Sequence, residues 1–192
     1  MEKDKITLPC KAVVIGGSAG SLDVIMGILS ELPPVLKFPI IIVVHRKNSS
    51  DSILTEVLSR KTIVPVKEIE DKTVALAGAI YLAPADYHLL IEENKVFSLD
   101  ASEKIHYSRP SIDVTFGCAA EVYKKNLVCI LLSGASVDGV EGLKKVQAHK
   151  GIAVVQDPKT ARVPFMPEQA ISNLKPDFIL NPVEMASFIN SL

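Results

Sequence analysis

Short runs of consecutive apolar residues alternate along this chain with longer stretches in which apolar positions recur every three or four residues. That is the rhythm of repeated βαβ units and of a mostly parallel sheet. Ala12 to Ile15 reads as a first strand, after which Leu22, Ile25, Leu29 and Leu32 mark a helix that Pro33-Pro34 stops. Ile40 to Val44 is apolar throughout, as a strand covered on both faces would be. Ser50-Asp51 is placed to cap a helix bearing Ile53, Leu54, Val57 and Leu58. Between Val64 and Leu99 the rhythm changes to short strands, at Ala79 to Leu82, Tyr87 to Ile91 and Val96 to Leu99, with a hairpin turn at Glu92 to Lys95. An antiparallel excursion is expected there. The alternation returns with a helix after Pro110-Ser111, a strand at Leu127 to Leu132 and a helix from about Val140 to His149, ended by Gly151. A strand at Ile152 to Val155 follows, then a helix begun by Pro167-Glu168, a strand at Phe178 to Leu180, and a last helix capped by Asn181 and Pro182. The expected fold is α/β: a doubly wound, mostly parallel sheet with helices on both faces and an antiparallel hairpin excursion. It should form one domain over residues 1–192, with its core from about 11 to 192.

With 48% hydrophobic and 22% charged residues over 192 positions, the chain has apolar material for one sizeable core. A net charge of -1 and a pI near 6.4 give no bulk electrostatic reason to expect nucleic acid or an anionic membrane as partner, and no membrane insertion is expected. The longest apolar runs, Pro39 to Val44 and Leu127 to Leu132, fall far short of the roughly 18 residues that cross a bilayer. The N-terminus alternates charge and lacks a signal-like apolar segment, so a cytoplasmic protein is expected. Cys10, Cys118 and Cys129 are widely spaced with no C-x-x-C, which points to reduced thiols, no metal site, and Cys129 as a core residue.

In open α/β sheets the chemistry gathers outside the carboxyl ends of the strands. Strand one ends at Gly16-Gly17-Ser18-Ala19-Gly20, the second at His45-Arg46, the Leu127 strand at Ser133 to Gly139, and the Ile152 strand at Gln156-Asp157. The Gly16-x-Ser18-x-Gly20 spacing suits a nucleophile elbow, with helix N-terminal amides able to hold an oxyanion. The plainer alternative makes Ser18 the N-cap of the next helix. His45 is a candidate general base, against the alternative of a strand-end histidine held by hydrogen bonds. Asp138 and Asp157 compete to orient it, and Asp138 could equally cap its own helix. The order Ser, His, Asp differs from that of the α/β-hydrolases.

Six ordered segments resemble the catalytic domain of the chemotaxis protein-glutamate methylesterases. Ala12 to Gly20 is similar to that family's nucleophile turn and Ile42 to His45 to its base strand. Tyr81 to His88 and Ser108 to Asp113 resemble two internal signatures, Leu131 to Gly139 the acidic segment, and Phe165-Met-Pro167 a late signature. The resemblance favours Asp138 over Asp157 and implies a cofactor-free serine hydrolase. It would demethylate glutamate γ-methyl esters on cytoplasmic helices of chemoreceptors, with release of methanol. Ser18 would be nucleophile, His45 base and Asp138 orienter, with the main-chain amides of Ala19 and Ala135 as the oxyanion hole. Arg46, Lys47, Arg109 and Ser111 are expected on the substrate side, Arg46-Lys47 as a cationic pair at the mouth. Alternatives are a receptor glutamine deamidase and a non-catalytic signalling module of the same fold. The family's pattern differs at Ser21 (a second glycine), at Arg46-Lys47 (Met-Pro) and at Ala135 (methionine). It also carries a receiver domain, whereas only about ten residues precede the first strand here. A catalytic domain without a receiver is therefore expected, with a separate response regulator or signalling protein as a possible partner.

Overall fold

The computed structural model describes residues 10–46 and 51–192. Seven parallel strands form one sheet in the order β3-β4-β2-β1-β7-β8-β9. The first half of the chain supplies β1 (Ala12–Gly17), α1 (Ser21–Ser30), β2 (Ile40–Val44), α2 (Asp51–Ser59), β3 (Val66–Glu68) and β4 (Ile80–Leu82). A separate antiparallel pair follows, β5 (His88–Ile91) and β6 (Phe97–Asp100). The second half supplies α3 (Ile112–Tyr123), β7 (Leu127–Leu131), α4 (Val140–Ala148), β8 (Ile152–Gln156), α5 (Phe165–Asn173), β9 (Phe178–Leu180) and α6 (Pro182–Asn190).

The central strands are apolar at every position because both faces are covered. On one face Val13, Ile15, Ile40, Ile42, Ile130 and Val154 pack with Ile25, Leu29, Met185 and Ile189 of α1 and α6. On the other, Val14, Ile41, Val43, Cys129 and Val155 meet Phe116, Leu143 and Ala170 of α3, α4 and α5. Cys129 is fully buried, as its apolar run implied.

The antiparallel excursion is smaller than the sequence pattern suggested. Ile80-Tyr-Leu82 does not belong to it: the strand pairs parallel with Ile40 to Ile42 and, on its other edge, with Val66 to Glu68. Its side chains are buried on both faces, which only a place inside the main sheet provides. Only β5 and β6 form the hairpin, and Phe97 at its base stacks edge-on against Tyr81 at 5.1 Å. Helix α5 also starts two residues before Pro167, at Phe165. The expected cap at Ser50-Asp51 involves residues outside the described set.

The strand order reverses at β1, which lies between β2 and β7. That switch point opens a crevice at the carboxyl ends of these three strands. Gly16 is required here by close approach: a Cβ on it would lie 2.5 Å from Ile112 Cγ2, so the N-terminus of α3 could not come down onto the end of β1.

The last helix is fixed locally, by a capping box in which the Asn181 side chain accepts from the Glu184 amide and the Glu184 carboxylate from the Asn181 amide, each at 3.0 Å. Replacing Asn181 by Ala should cost about 1 kcal/mol. Urea unfolding should show a lower midpoint with an unchanged slope.

Candidate active site

Three loops meet at the switch point. The turn after β1 brings in Ser18, whose amide donates to the Ser133 carbonyl at 2.9 Å. Ser18 does not cap α1. The N-cap is Gly20, at a φ of 79°, and Ser18 instead accepts through its carbonyl from the Ser21 amide at 3.0 Å and the Ser21 hydroxyl at 2.7 Å. The departure at Ser21 thus has a structural use, as a buried hydroxyl that ties down the turn. Among the described residues, the amides of Ala19 and Ala135 donate to no protein acceptor. Beside Ser18, a Cβ on Gly134 would collide with Met166 Sδ and lie 2.9 Å from Ser18 Cβ. The late signature therefore supplies Met166 as the buried backing of this loop.

His45 follows β2, and its amide donates to the Gly17 carbonyl at 3.1 Å, which holds it alongside the serine turn. Its Nε2 stands 2.7 Å from Asp138 Oδ2. Asp157, the competing carboxylate, instead caps the 3₁₀ turn at 158–160 by accepting from the Lys159 amide at 3.0 Å.

Asp138 is fully buried and caps α3 rather than its own helix. Oδ2 accepts from the Ile112 amide at 2.7 Å, and Oδ1 from the Asp113 amide and the Ser111 hydroxyl, both at 2.9 Å. Burial pushes its pKa up, but the His45 N–H and the Asp113 and Ile112 amides outweigh burial and leave it below the ordinary aspartate value. The group is an anion at neutral pH and can only accept, so His45 carries a proton on Nε2 and Nδ1 is its basic nitrogen.

The capping is reciprocal. Asp113, in the first turn of α3, accepts through Oδ1 from the Gly139 amide at 2.9 Å and the Gly142 amide at 2.6 Å, at the start of α4. Burial raises its pKa to about 6; the Gly142 and Gly139 amides oppose this and the neighbouring Asp138 charge adds to it. His106 Nε2 approaches its other oxygen at 3.5 Å.

Two substrate-side expectations change. Ser111 is fully buried as the N-cap of α3 with its hydroxyl on Asp138, so it positions the carboxylate and cannot meet substrate. Arg46 lines the crevice, but its guanidinium donates to the Ala83 carbonyl at 2.9 Å and lies 3.7 Å from Glu68, so its charge is already matched and it is not a solvated steering cation. Lys47 lies outside the described residues. Arg109 donates to the carbonyls of Ala101 and Ser102 at 2.7 and 2.8 Å and so braces the loop it belongs to. With His45, Arg46, Asp86, Lys104, Tyr107 and Ser108 it lines a cavity of about 400 Å³.

Sequence reasoning missed three residues: Asp113, Ser108, whose hydroxyl lies 3.3 Å from His45 Nδ1, and His88. His88 is buried, accepts from the Ser111 amide at 3.1 Å and pairs with the Glu103 carbonyl at 2.8 Å, linking loop 101–109 to the cap of α3. Ser108 and Asp113 stand at the two ends of one signature, which was the available signal.

Asp113 titrates near 4 in an unfolded chain and at about 6 in the fold. Between those values the folded protein keeps a proton that the unfolded chain has lost, so the stability this group contributes falls as pH rises through that window. Asp113→Asn keeps an acceptor for Gly139 and Gly142 without the charge. Measured by urea unfolding, the stability of the variant relative to wild type should rise by about 1–3 kcal/mol between pH 4 and pH 7. A pH-independent difference would refute the raised titration.

The sequence model of the CheB methylesterase family matches residues 13–189. A putative protein-glutamate methylesterase/protein-glutamine glutaminase of Leptospira interrogans (serovar copenhageni, strain Fiocruz L1-130) is 43% identical over 176 residues, covering 92% of this chain and 91% of that protein. The protein-glutamate methylesterase/protein-glutamine glutaminase of Thermotoga maritima is 35% identical over 173 residues, 88% of this chain and 50% of that one. The crystal structure of the Thermotoga maritima CheB methylesterase catalytic domain superposes with a TM-score of 0.90 at 33% identity, covering 94% of this chain and 97% of that one. With the family pattern running almost from end to end and the catalytic-domain fold reproduced, this chain belongs to the CheB methylesterase family.

Proposed function

We propose that this domain is a serine hydrolase that removes methyl groups from glutamate γ-methyl esters on the cytoplasmic helices of chemoreceptors. The observation that carries this reading is the 2.7 Å contact of His45 Nε2 with a buried, anionic Asp138, which leaves Nδ1 as a base beside the end of β1. Ser18 Oγ bonds to the ester carbonyl carbon while Nδ1 takes its proton, and Asp138 stabilises the imidazolium. The carbonyl oxygen gathers negative charge, to which the Ala19 and Ala135 amides donate. The C–O bond to the methoxy group then breaks, and the proton on Nδ1 leaves with it as methanol. Water repeats the sequence on the Ser18 ester, releasing the glutamate carboxylate and restoring the hydroxyl. The domain acts in the cytoplasm.

The glutaminase in the names of the relatives supports a second reaction at the same site. A glutamine side chain offers the same carbonyl, with ammonia as the leaving group, so one triad accommodates both. A non-catalytic module of this fold would release neither product.

Incubation with methylated receptor should release methanol, and with receptor carrying unmodified glutamines, ammonia. Ser18→Ala should lower both by about 10⁴- to 10⁶-fold with the circular dichroism spectrum retained. Asp138→Asn should cost about 10⁴-fold, because an amide favours the wrong imidazole tautomer. Asp157→Asn, away from His45, should stay within a few-fold of wild type. Undiminished methanol release by the Ser18 variant, or equal losses at the two aspartates, would refute the assignments.

A further inference from the structure

We infer that Ser108 is a positioning residue whose hydroxyl occupies the basic nitrogen of His45 in the resting enzyme and must yield it to Ser18 before the chemical step. Asp138 takes Nε2 at 2.7 Å, and the only lone pair left on the ring is that of Nδ1. Ser108 Oγ lies 3.3 Å from Nδ1. The same hydroxyl reaches the His106 carbonyl at 3.4 Å. It has one proton and two acceptors: donated to Nδ1 it occupies the base, and turned to the His106 carbonyl it frees it without leaving a donor unpaired.

The loop presents the hydroxyl deliberately enough to act on the ring. Ile105 and Ser108 exchange backbone hydrogen bonds at 3.1 and 2.9 Å, closing a tight turn with His106 and Tyr107 at φ of 49° and 61°. Ser108 is half-buried at the cavity beside His45, while Tyr107 at the tip is 98% exposed. Ser108 lines the same cavity as His45, so its hydroxyl is within reach of whatever occupies that cavity.

This inference rests on the reading of Ser18 as nucleophile, and two measurements separate their fates. The first is capture of Ser18 by a fluorophosphonate, located by peptide mass spectrometry at a pH where the rate has levelled. Ser108→Ala should be labelled at Ser18 about two- to fivefold faster than wild type, the factor one weak neutral hydrogen bond is worth. Ser108→Thr, which keeps the hydroxyl, should stay near the wild-type rate. The second is the ¹⁵N resonance of His45 Nδ1 at alkaline pH in a Ser18→Ala background, where no nucleophile can take the vacated place. Adding Ser108→Ala should move it downfield, as loss of a donated hydrogen bond does. An unmoved resonance, or Ser18 labelled in wild type with no acceleration in Ser108→Ala, overturns the inference. A moved resonance in a protein whose Ser18 takes no label supports the Ser108 contact and sinks the nucleophile assignment instead.

Discussion

The site depends on a buried carboxylate at the start of a helix. An anion removed from water costs many kcal/mol unless donors replace its hydration. Asp138 has four: two amides and a hydroxyl from the first turn of α3, and the His45 ring. The aligned peptide dipoles of α3 add favourable potential at the same point. Those contacts join the loop after β7, the first turn of α3 and the end of β2, which are far apart in the chain. They also fix the tautomer, because an acceptor on Nε2 leaves Nδ1 as the basic nitrogen of His45.

The second aspartate makes this arrangement reciprocal. Asp138 immediately precedes α4 yet caps α3, and Asp113 belongs to α3 yet caps α4. Neither cap forms until both helices are packed, so the placing of Asp138 against His45 arises with the tertiary fold and not with either helix alone. Burial, with the Asp138 charge adding to it, raises the proton affinity of Asp113. Asp138, with more donors and the imidazole, keeps its charge, and Asp113 is driven up to about 6.

What could be read from the sequence follows from which interactions are local. The inner strands were legible because burial on both faces leaves uniform apolar runs, and α6 because its capping box lies within four residues. β3 was not legible: Val66-Lys-Glu68 has one apolar residue and is held by backbone pairing to β4. The orientation of β4 is a matter of register with Ile40 to Ile42, which no local pattern encodes. Ser18 and His45 stood out as candidates because each follows the end of an apolar strand. Asp138 and Asp157 are locally alike; the family resemblance favoured Asp138, and topology separates them, since β7 borders β1 whereas β8 lies one strand further out. The exchanged caps left no trace, since a helix N-terminus that binds a carboxylate 25 residues away has no spacing rule. Ser111 was misread for that reason, and Arg46 because adjacency to His45 in sequence says nothing of which way its side chain turns.

The loop at 101–109 shows how far the site extends beyond its reacting atoms. Left-handed backbone at two successive residues bearing side chains costs energy and persists only where neighbours over-determine it. Here those neighbours belong to the candidate site: His106 approaches Asp113, Ser108 approaches His45, and the Glu103 carbonyl is pinned by His88, which accepts from the amide of the α3 cap. Arg109 closes the loop on its own carbonyls. The wall of the cavity is held in shape by residues that cap the helices and contact His45. The cavity wall, the helix caps and the imidazole are thus joined by one set of hydrogen bonds.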